Sequence, residues 1–245
     1  MEKLIRGVTL LGIALISFTL ILVFVIQPDS ESQYKKSNKT RTLLLQIRGA
    51  DKFSEMNFIV TKRGAKWFYL PSDLVLADEP VLITIGSASQ NLILTKSVDE
   101  FNESYGLVVD DAWQIDLVAF ASLVESANGV EVKNPFSQTL NGFEAINYVF
   151  EATENPKVIL DRFKEVWPAV VASFDSKDLI NVLTSIGSSS RSSVEQAEFA
   201  SYLRAMARLN DELVFKESRL DDESRLTFKS RKRLIQAGVR ETLAP

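Results

Sequence analysis

The stretch Ser97–Val132, SVDEFNESYGLVVDDAWQIDLVAFASLVESANGVEV, alternates helical periods with short apolar runs, and its reading decides the fold class. Ser97 and Glu100 have capping-box spacing, in which a serine oxygen accepts from a first-turn amide and a glutamate reaches back. Val98, Phe101 and Tyr105 follow at helical spacing, and Gly106 suits a left-handed stop. After the run Trp113–Ile115, Asp116 is placed to cap a second helix, with Leu117, Phe120, Ala121, Val124 and Ala127 along one face. Asn128-Gly129 closes that helix before Val130–Val132. Helix, strand, helix, strand in this order predicts an α/β domain, and none of these residues carries chemistry.

Working outward, composition removes several function classes. The formal net charge is -4, which gives no basis for a nucleic-acid partner. Histidine and cysteine are both absent. Ser-His-Asp and Cys-His catalysis, thiolate or imidazole metal sites and disulfides are therefore excluded. Any metal would need oxygen ligands, which favours magnesium or calcium over zinc.

Val8–Ile26 holds nineteen residues without a charge. At ~1.5 Å per residue they cover roughly 28 Å, near the thickness of a hydrocarbon core. No small-residue cleavage pattern follows, so the run is expected to be an uncleaved signal anchor. Lys3 and Arg6 favour a cytoplasmic N-terminus, whereas Lys35, Lys36, Lys39 and Arg41 follow the run, so charge alone leaves the orientation open. The expected division is a cytoplasmic N-terminus (1–7), a transmembrane anchor (8–26), a juxtamembrane linker (27–42), an α/β domain (43–187) and a C-terminal α/β extension packing on it (188–245). Ser188–Ser193, SSSRSS, is the clearest boundary beyond the linker.

Within the domain, Leu43–Ile47, Phe58–Val60 and Trp67–Leu70 read as strands, the last two flanking a turn at Lys62-Arg63-Gly64. Val81–Ile85 reads as another, with Asn91–Thr95 extending it past a loop at Gly86–Gln90. Asn141 and Glu144 form a second capping pair, before a stripe of Phe143, Ile146, Val149 and Phe150. Asn155-Pro156 starts a further helix, which Pro168 should kink or end. Leu179–Ile186 is a helix stopped by Gly187, and Ser193 and Gln196 begin another with Val194, Ala197, Leu203 and Met206. Leu213–Phe215 and Leu226–Phe228 read as strands, and Lys232–Val239 as a last helix.

Taken in order, these segments resemble the LytR-CpsA-Psr family of membrane-anchored envelope proteins. Leu43–Ile47 stands where that family has its first strand and a Gly-Ile-Asp signature. Ser54–Val60 stands for its Ser-Asp-Thr segment, and Tyr69-Leu70-Pro71-Ser72-Asp73 for its Ser-Ile-Pro-Arg-Asp strand end. Ala127–Val132 is similar to its Gly-Gly-Val-x-Val, and Leu140–Val149 to its Leu-Asp-Gly-x-x-Ala-Leu-x-Tyr-Val. The likeness covers about Leu43–Ser173.

The resemblance implies an α/β/α sandwich with a central mixed sheet, preceded by one transmembrane helix, with the domain extracytoplasmic on a single-pass membrane anchor. It implies a polyprenyl-phosphate lipid or cell-wall glycopolymer as partner, and phosphotransfer supported by arginines and magnesium. Carried over residue by residue, the metal positions fall on Glu55, Asp73 and Glu154, and the catalytic positions on Asp73 and Lys157. Elsewhere the pattern is replaced. Arg48 stands at or beside the first family aspartate, Ser72 at one arginine, and Phe150 and Ala152 at two more. Lysine does not reproduce the bidentate grip of arginine on phosphate.

The expected function is cell-envelope glycopolymer biogenesis, by binding a polyprenyl-linked intermediate or a partner with reduced or no catalysis. An active magnesium-dependent phosphotransferase and a membrane-tethered regulatory domain are the alternatives. From residue type alone, Glu55, Asp73 and Glu154 also suit solvated turns and caps, and Phe150 suits the core. The basic C-terminal end, Arg225 to Arg240, suits either contact with anionic polymer or simple solvation.

Overall fold

Strand β1 (Thr42–Arg48) has every residue buried, which places it in the middle of a sheet. The computed structural model describes residues 42–61, 66–77, 82–133, 137–151, 155–209, 213–217 and 228–243. The expected anchor and most of the linker, the turn at Lys62-Arg63-Gly64, Ala152 and Glu154 lie outside them. Among the described residues no helix is long and apolar enough to cross a membrane.

β2 (Ser54–Thr61) pairs antiparallel with β1, and β3 (Lys66–Leu70) antiparallel with β2. β6 (Asp111–Asp116) lies parallel to β1 on its other side. β9 (Ser190–Ser192) and β10 (Val214–Glu217) complete a six-stranded mixed sheet in the order β10-β3-β2-β1-β6-β9. Two small antiparallel pairs stand apart from it: β4 (Val75–Ala77) with β5 (Ile83–Thr84), and β7 (Val130–Val132) with β8 (Gln138–Leu140).

Alternation along the strands feeds two cores. Leu43, Leu45 and Ile47 join Phe58, Trp67 and Trp113 on one face. They meet α3 (Leu117–Ser126), α5 (Pro156–Ser173), α6 (Leu179–Ile186) and α7 (Gln196–Ala207). Leu44, Ile59 and Phe68 face the opposite way, toward α1 (Ile85–Asn91), α2 (Leu94–Tyr105) and α8 (Phe228–Leu243). Helices therefore cover both faces of a mixed sheet, and the expected α/β architecture is met. The first core is built from aromatic rings. Phe163 stacks on Trp167 at 5.0 Å and Phe58 on Phe163 at 5.1 Å, while Trp113 meets Phe199 edge-on at 5.0 Å.

A polar row crosses the second face. Gln114 Nε2 donates to Gln46 Oε1 at 2.7 Å, and Gln46 Nε2 donates to Asn57 Oδ1 at 3.1 Å and to the Ile85 carbonyl at 3.2 Å. Ser54 Oγ donates to Asn57 Oδ1, and Asn57 Nδ2 donates to Ser72 Oγ. Gln46, Asn57 and Ser54 are fully buried, so these bonds replace hydration that the fold has removed.

Several local expectations hold. Gly106 has φ 57 at the end of α2, and Asn128 and Gly129 both have positive φ after α3. Asp116 caps α3 by accepting from the Ala119 amide, and Asn141 and Glu144 form the full capping box of α4 (Gly142–Ile146). Others are corrected. α2 begins at Leu94, and Ser97 is a buried interior residue whose hydroxyl turns back to the Ile93 carbonyl, not a cap. Asn91–Thr95 is not a strand and Gly86–Gln90 is not a loop. Thr84 and Ser87 form a capping box that starts α1, with serine at the third position in place of glutamate. Within Val81–Ile85, Ile83–Thr84 is strand and Ile85 begins α1, while Val81 lies outside the described residues.

Phe143 is 68% exposed, because the helix continues as a π turn (Asn147–Glu151) that brings Val149 and Phe150 inward. On α3 the buried face is centred on Ala119, Phe120, Leu123 and Val124, with Leu117 and Ala121 at its margin. α5 passes through Pro168 without ending, and Ala197 of α7 is exposed. Phe228 begins α8 and is not a strand end. Within the serine run Ser188–Ser193, Ser190–Ser192 form edge strand β9.

Where α3 crosses α4 the backbones nearly touch. A Cβ on Gly142 would meet the Ala121 carbonyl oxygen at 2.5 Å and its Cα at 3.0 Å. Neither atom can swing aside as a side chain would. Gly142→Ala is expected to cost about 1–3 kcal/mol, as overpacking does, read as a lower denaturant midpoint at unchanged slope.

Candidate functional site

The carboxyl ends of β1 and β6 lie side by side, Arg48 next to Asp116 in register. In open α/β sheets ligands commonly sit beyond such strand ends. Three loops arrive there: the turn Gly49–Phe53, the turn after β3 and the amino end of α3. The Gly49 amide donates to the Phe53 carbonyl and the Lys52 amide to the Gly49 carbonyl, which tightens the first of them.

Glu55 is half-buried at the start of β2. Its carboxyl sits where a side chain on Gly49 would be, so the glycine makes room for it. Burial pushes the Glu55 carboxyl above the usual carboxylate range, and the charges of Asp51 and Glu151 push it further the same way. Asp73 occupies the turn after β3 and is exposed. Its charge bears on Tyr69, whose hydroxyl is pushed up to about 12 by burial first and then by Asp73 and Glu217. Ser72 is anchored, its hydroxyl donating to the Glu55 carbonyl at 2.9 Å. The backbone beneath Glu55 is thereby tied to the turn that carries Asp73.

Lys157 is exposed in the first turn of α5, its amide held by Asn155 Oδ1 at 3.0 Å. Glu154 lies outside the described residues. Of the expected magnesium set, then, Glu55 and Asp73 are described, and Glu55 is surrounded by Asp51 and Glu151. Among the described residues no group of three carboxylates is placed to hold a metal ion. Phe150 is 7% exposed and meets Phe120 edge-on at 5.3 Å, which makes it a core residue.

Two groups went unread in the sequence. The first is Arg48 itself. It is only 5% exposed, and its Nε–H has no hydrogen-bond partner among the described residues. Burial and then the charge of Arg191 hold Arg48 below the usual arginine range, while Asp116 acts the other way. The signal was available in the alternation. Gln46 and Arg48 share the face of Leu44, so a charge two residues beyond a buried glutamine is not at a free strand end. The second group joins the π turn to α5. Tyr148 Oη donates to Glu165 Oε2 at 2.7 Å, and the Arg162 guanidinium donates to the Tyr148 carbonyl at 2.8 Å and lies 5.0 Å from its ring centre. Burial and the bond to Glu165 push the Tyr148 hydroxyl up to about 12.

Comparison with known proteins gives a likeness of fold. No protein-family model matches this sequence, and no curated protein does. Solved structures do match. The Lin1025 protein from Listeria innocua superposes with a TM-score of 0.65 at 15% identity, over 84% of this chain and all of that one. B. subtilis TagV gives 0.65 at 14% identity, over 86% of this chain and 100% of its own. A structure of TagT bound to LI-WTA gives 0.62 at 16% identity, over 86% and 94% of the two chains. The chain has a LytR-CpsA-Psr-like fold. At these identities the likeness speaks for the fold alone.

The raised Glu55 carboxyl yields a signed prediction. A carboxyl whose folded-state pKa is raised binds its proton more tightly in the native protein than in the unfolded chain. Its contribution is fully present below the unfolded value, ~4.3 for glutamate, and is lost as pH rises through the folded value. Glu55→Gln is therefore expected to raise the thermal midpoint at pH 7. The gain should shrink as the pH is lowered and vanish below about pH 4, in parallel melts of both proteins.

Proposed function

We propose that this chain is a membrane-tethered, extracytoplasmic protein of cell-envelope glycopolymer biogenesis. It binds a polyprenyl-linked intermediate, or a partner that handles one, with reduced or no catalysis of its own. The observation that carries this reading is the superposition on TagV and TagT across 81–100% of their chains, with TagT structures bound to LI-WTA and LIIa-WTA.

The replaced residues support reduced catalysis. Phosphoryl transfer depends on positioning and charge neutralisation, and one preorganised donor is commonly worth roughly 10²–10³ in rate. Phe150 is committed to an aromatic core, Ser72 is a neutral hydroxyl engaged with the Glu55 carbonyl, and Lys157 is solvent-facing. Tethering rests on the apolar run Val8–Ile26.

Two measurements test the reading. Full-length protein in detergent is expected to bind a polyprenyl-pyrophosphate-linked saccharide saturably, without magnesium-dependent turnover. Turnover that is lost in Asp73→Ala would instead establish an active phosphotransferase. Alkaline phosphatase fused after Pro245 is expected to be active, and a well-expressed but inactive fusion would overturn the envelope location.

A further inference from the structure

At the amino ends of β1 and β6, the opposite end of the strands from Arg48, lies a cavity of about 210 Å³. Leu43 and Asp111 face each other in register there. Asp111 alternates with Trp113 and Ile115, which sets it on the aromatic face of the sheet, toward α7. The helix supplies the other wall. Glu198, Tyr202 and Ala205 recur at i, i+4 and i+7, one stripe of α7, and all three line the cavity. Val194, which precedes the helix, joins Leu43 in an apolar side. The lining thus combines two carboxylates, an aromatic ring and aliphatic surface, and among the described residues it holds no lysine or arginine. Tyr202 is fixed in place. Its ring lies nearly parallel to that of Phe199 with centres 6.5 Å apart, and its hydroxyl donates to the Thr61 carbonyl at 3.4 Å. Burial, then the charges of Asp111 and Asp110, push that hydroxyl above the usual tyrosine range, so negative potential reaches the ring.

We propose that this cavity binds a small organic cation, a primary ammonium group carried on a compact apolar body. The ammonium donates to the carboxylates of Asp111 and Glu198, and the body rests on the Tyr202 ring against Leu43 and Val194. A carboxylate accepts at about four lone-pair positions, so Asp111 keeps capacity beyond the bond its Oδ1 accepts from Ser193 Oγ at 3.4 Å. The face of a tyrosine ring attracts the same charge. Size sets the rest. An apolar cavity of about 150 Å³ accepts benzene, so the larger volume here suits a single ring with a short aminoalkyl arm. Two carboxylates in the wall disfavour anions, phosphates among them. The site lies at the other end of the strands from Glu55 and is independent of the glycopolymer reading.

The test titrates the full-length chain, in detergent, with benzylamine, which is protonated at neutral pH, and with its uncharged isostere benzyl alcohol, read by ligand-observed NMR. Benzylamine is expected to saturate and to bind about tenfold more tightly than the alcohol, the order of one charge-assisted hydrogen bond. Glu198→Gln should weaken benzylamine about tenfold and leave benzyl alcohol unchanged. Ala205→Trp fills the cavity and should abolish both. Glu198 and Ala205 are exposed, so both variants should melt as the parent does. Equal affinity for amine and alcohol would show an apolar cavity without charge recognition and would overturn the site. So would benzylamine binding that does not saturate, or that survives at full strength in either variant. Each of these outcomes leaves the glycopolymer reading standing, since none touches a residue on which that reading rests.

Discussion

Gln114, Gln46 and Asn57 bond side chain to side chain across three adjacent strands in a part of the sheet that water does not reach. Aliphatic residues at these positions would let neighbouring strands slide with little change in buried area. Amides do not. A slip of one residue would turn Gln46 toward the aromatic face and leave its donors without acceptors, at a cost of about 1–3 kcal/mol for each orphaned group. The row also extends beyond the sheet. Gln46 reaches the first residue of α1, and Asn57 reaches Ser72 in the turn after β3. A register device in the middle of the sheet therefore also positions the loops at its carboxyl end.

The two faces around this row are made differently. On one side, stacked and edge-on rings from α3, α5 and α7 meet Phe58, Trp67 and Trp113, and the fully buried Trp167 lies among them, its indole N–H without a partner among the described residues. That side gains from area and ring geometry. On the other, mainly aliphatic residues, with Phe68, Phe101 and Tyr105, flank the amide row, and polar contacts close the edges, as where Tyr105 Oη donates to the Val75 carbonyl at 2.7 Å. Discrimination of register comes from the polar face and bulk burial from the aromatic one.

The sequence disclosed those parts of this architecture that follow from local chemistry. Asp116, Asn141 and Asn155 cap their helices because each precedes an apolar period and carries an oxygen at the right reach. Ser97 misled because serine inside a helix can return its hydroxyl to the preceding turn, and because the apolar period extends one turn earlier, through Leu94. β9 was illegible for another reason. Ser-Arg-Ser has neither strand propensity nor apolar alternation, and it is a strand only because the edge of β6 is open to it. For the same reason the placement of Arg191 on the sheet face that carries Arg48 is a tertiary fact, joining residues far apart in the chain. Of the residues carried over from the family resemblance, Glu55 lies at the start of β2 and Asp73 in the turn after β3, and the Ser72 bond to the Glu55 carbonyl ties the two segments together.

The edge strands carry a consequence for how the chain is made. The central strands β1, β2, β3 and β6 are complete once Asp116 has been synthesised, yet β9 and β10, which cover the two outer edges, come from residues 190–192 and 214–217. During vectorial synthesis the apolar centre of the sheet therefore exists with both flanks open to pairing with another chain for some 75 residues of further elongation, and with the β3 flank open for some 100. Chain ends produced before Glu217 would leave at least the β3 flank unpaired, which makes the last quarter of the polypeptide a safeguard against self-association as well as a part of the fold.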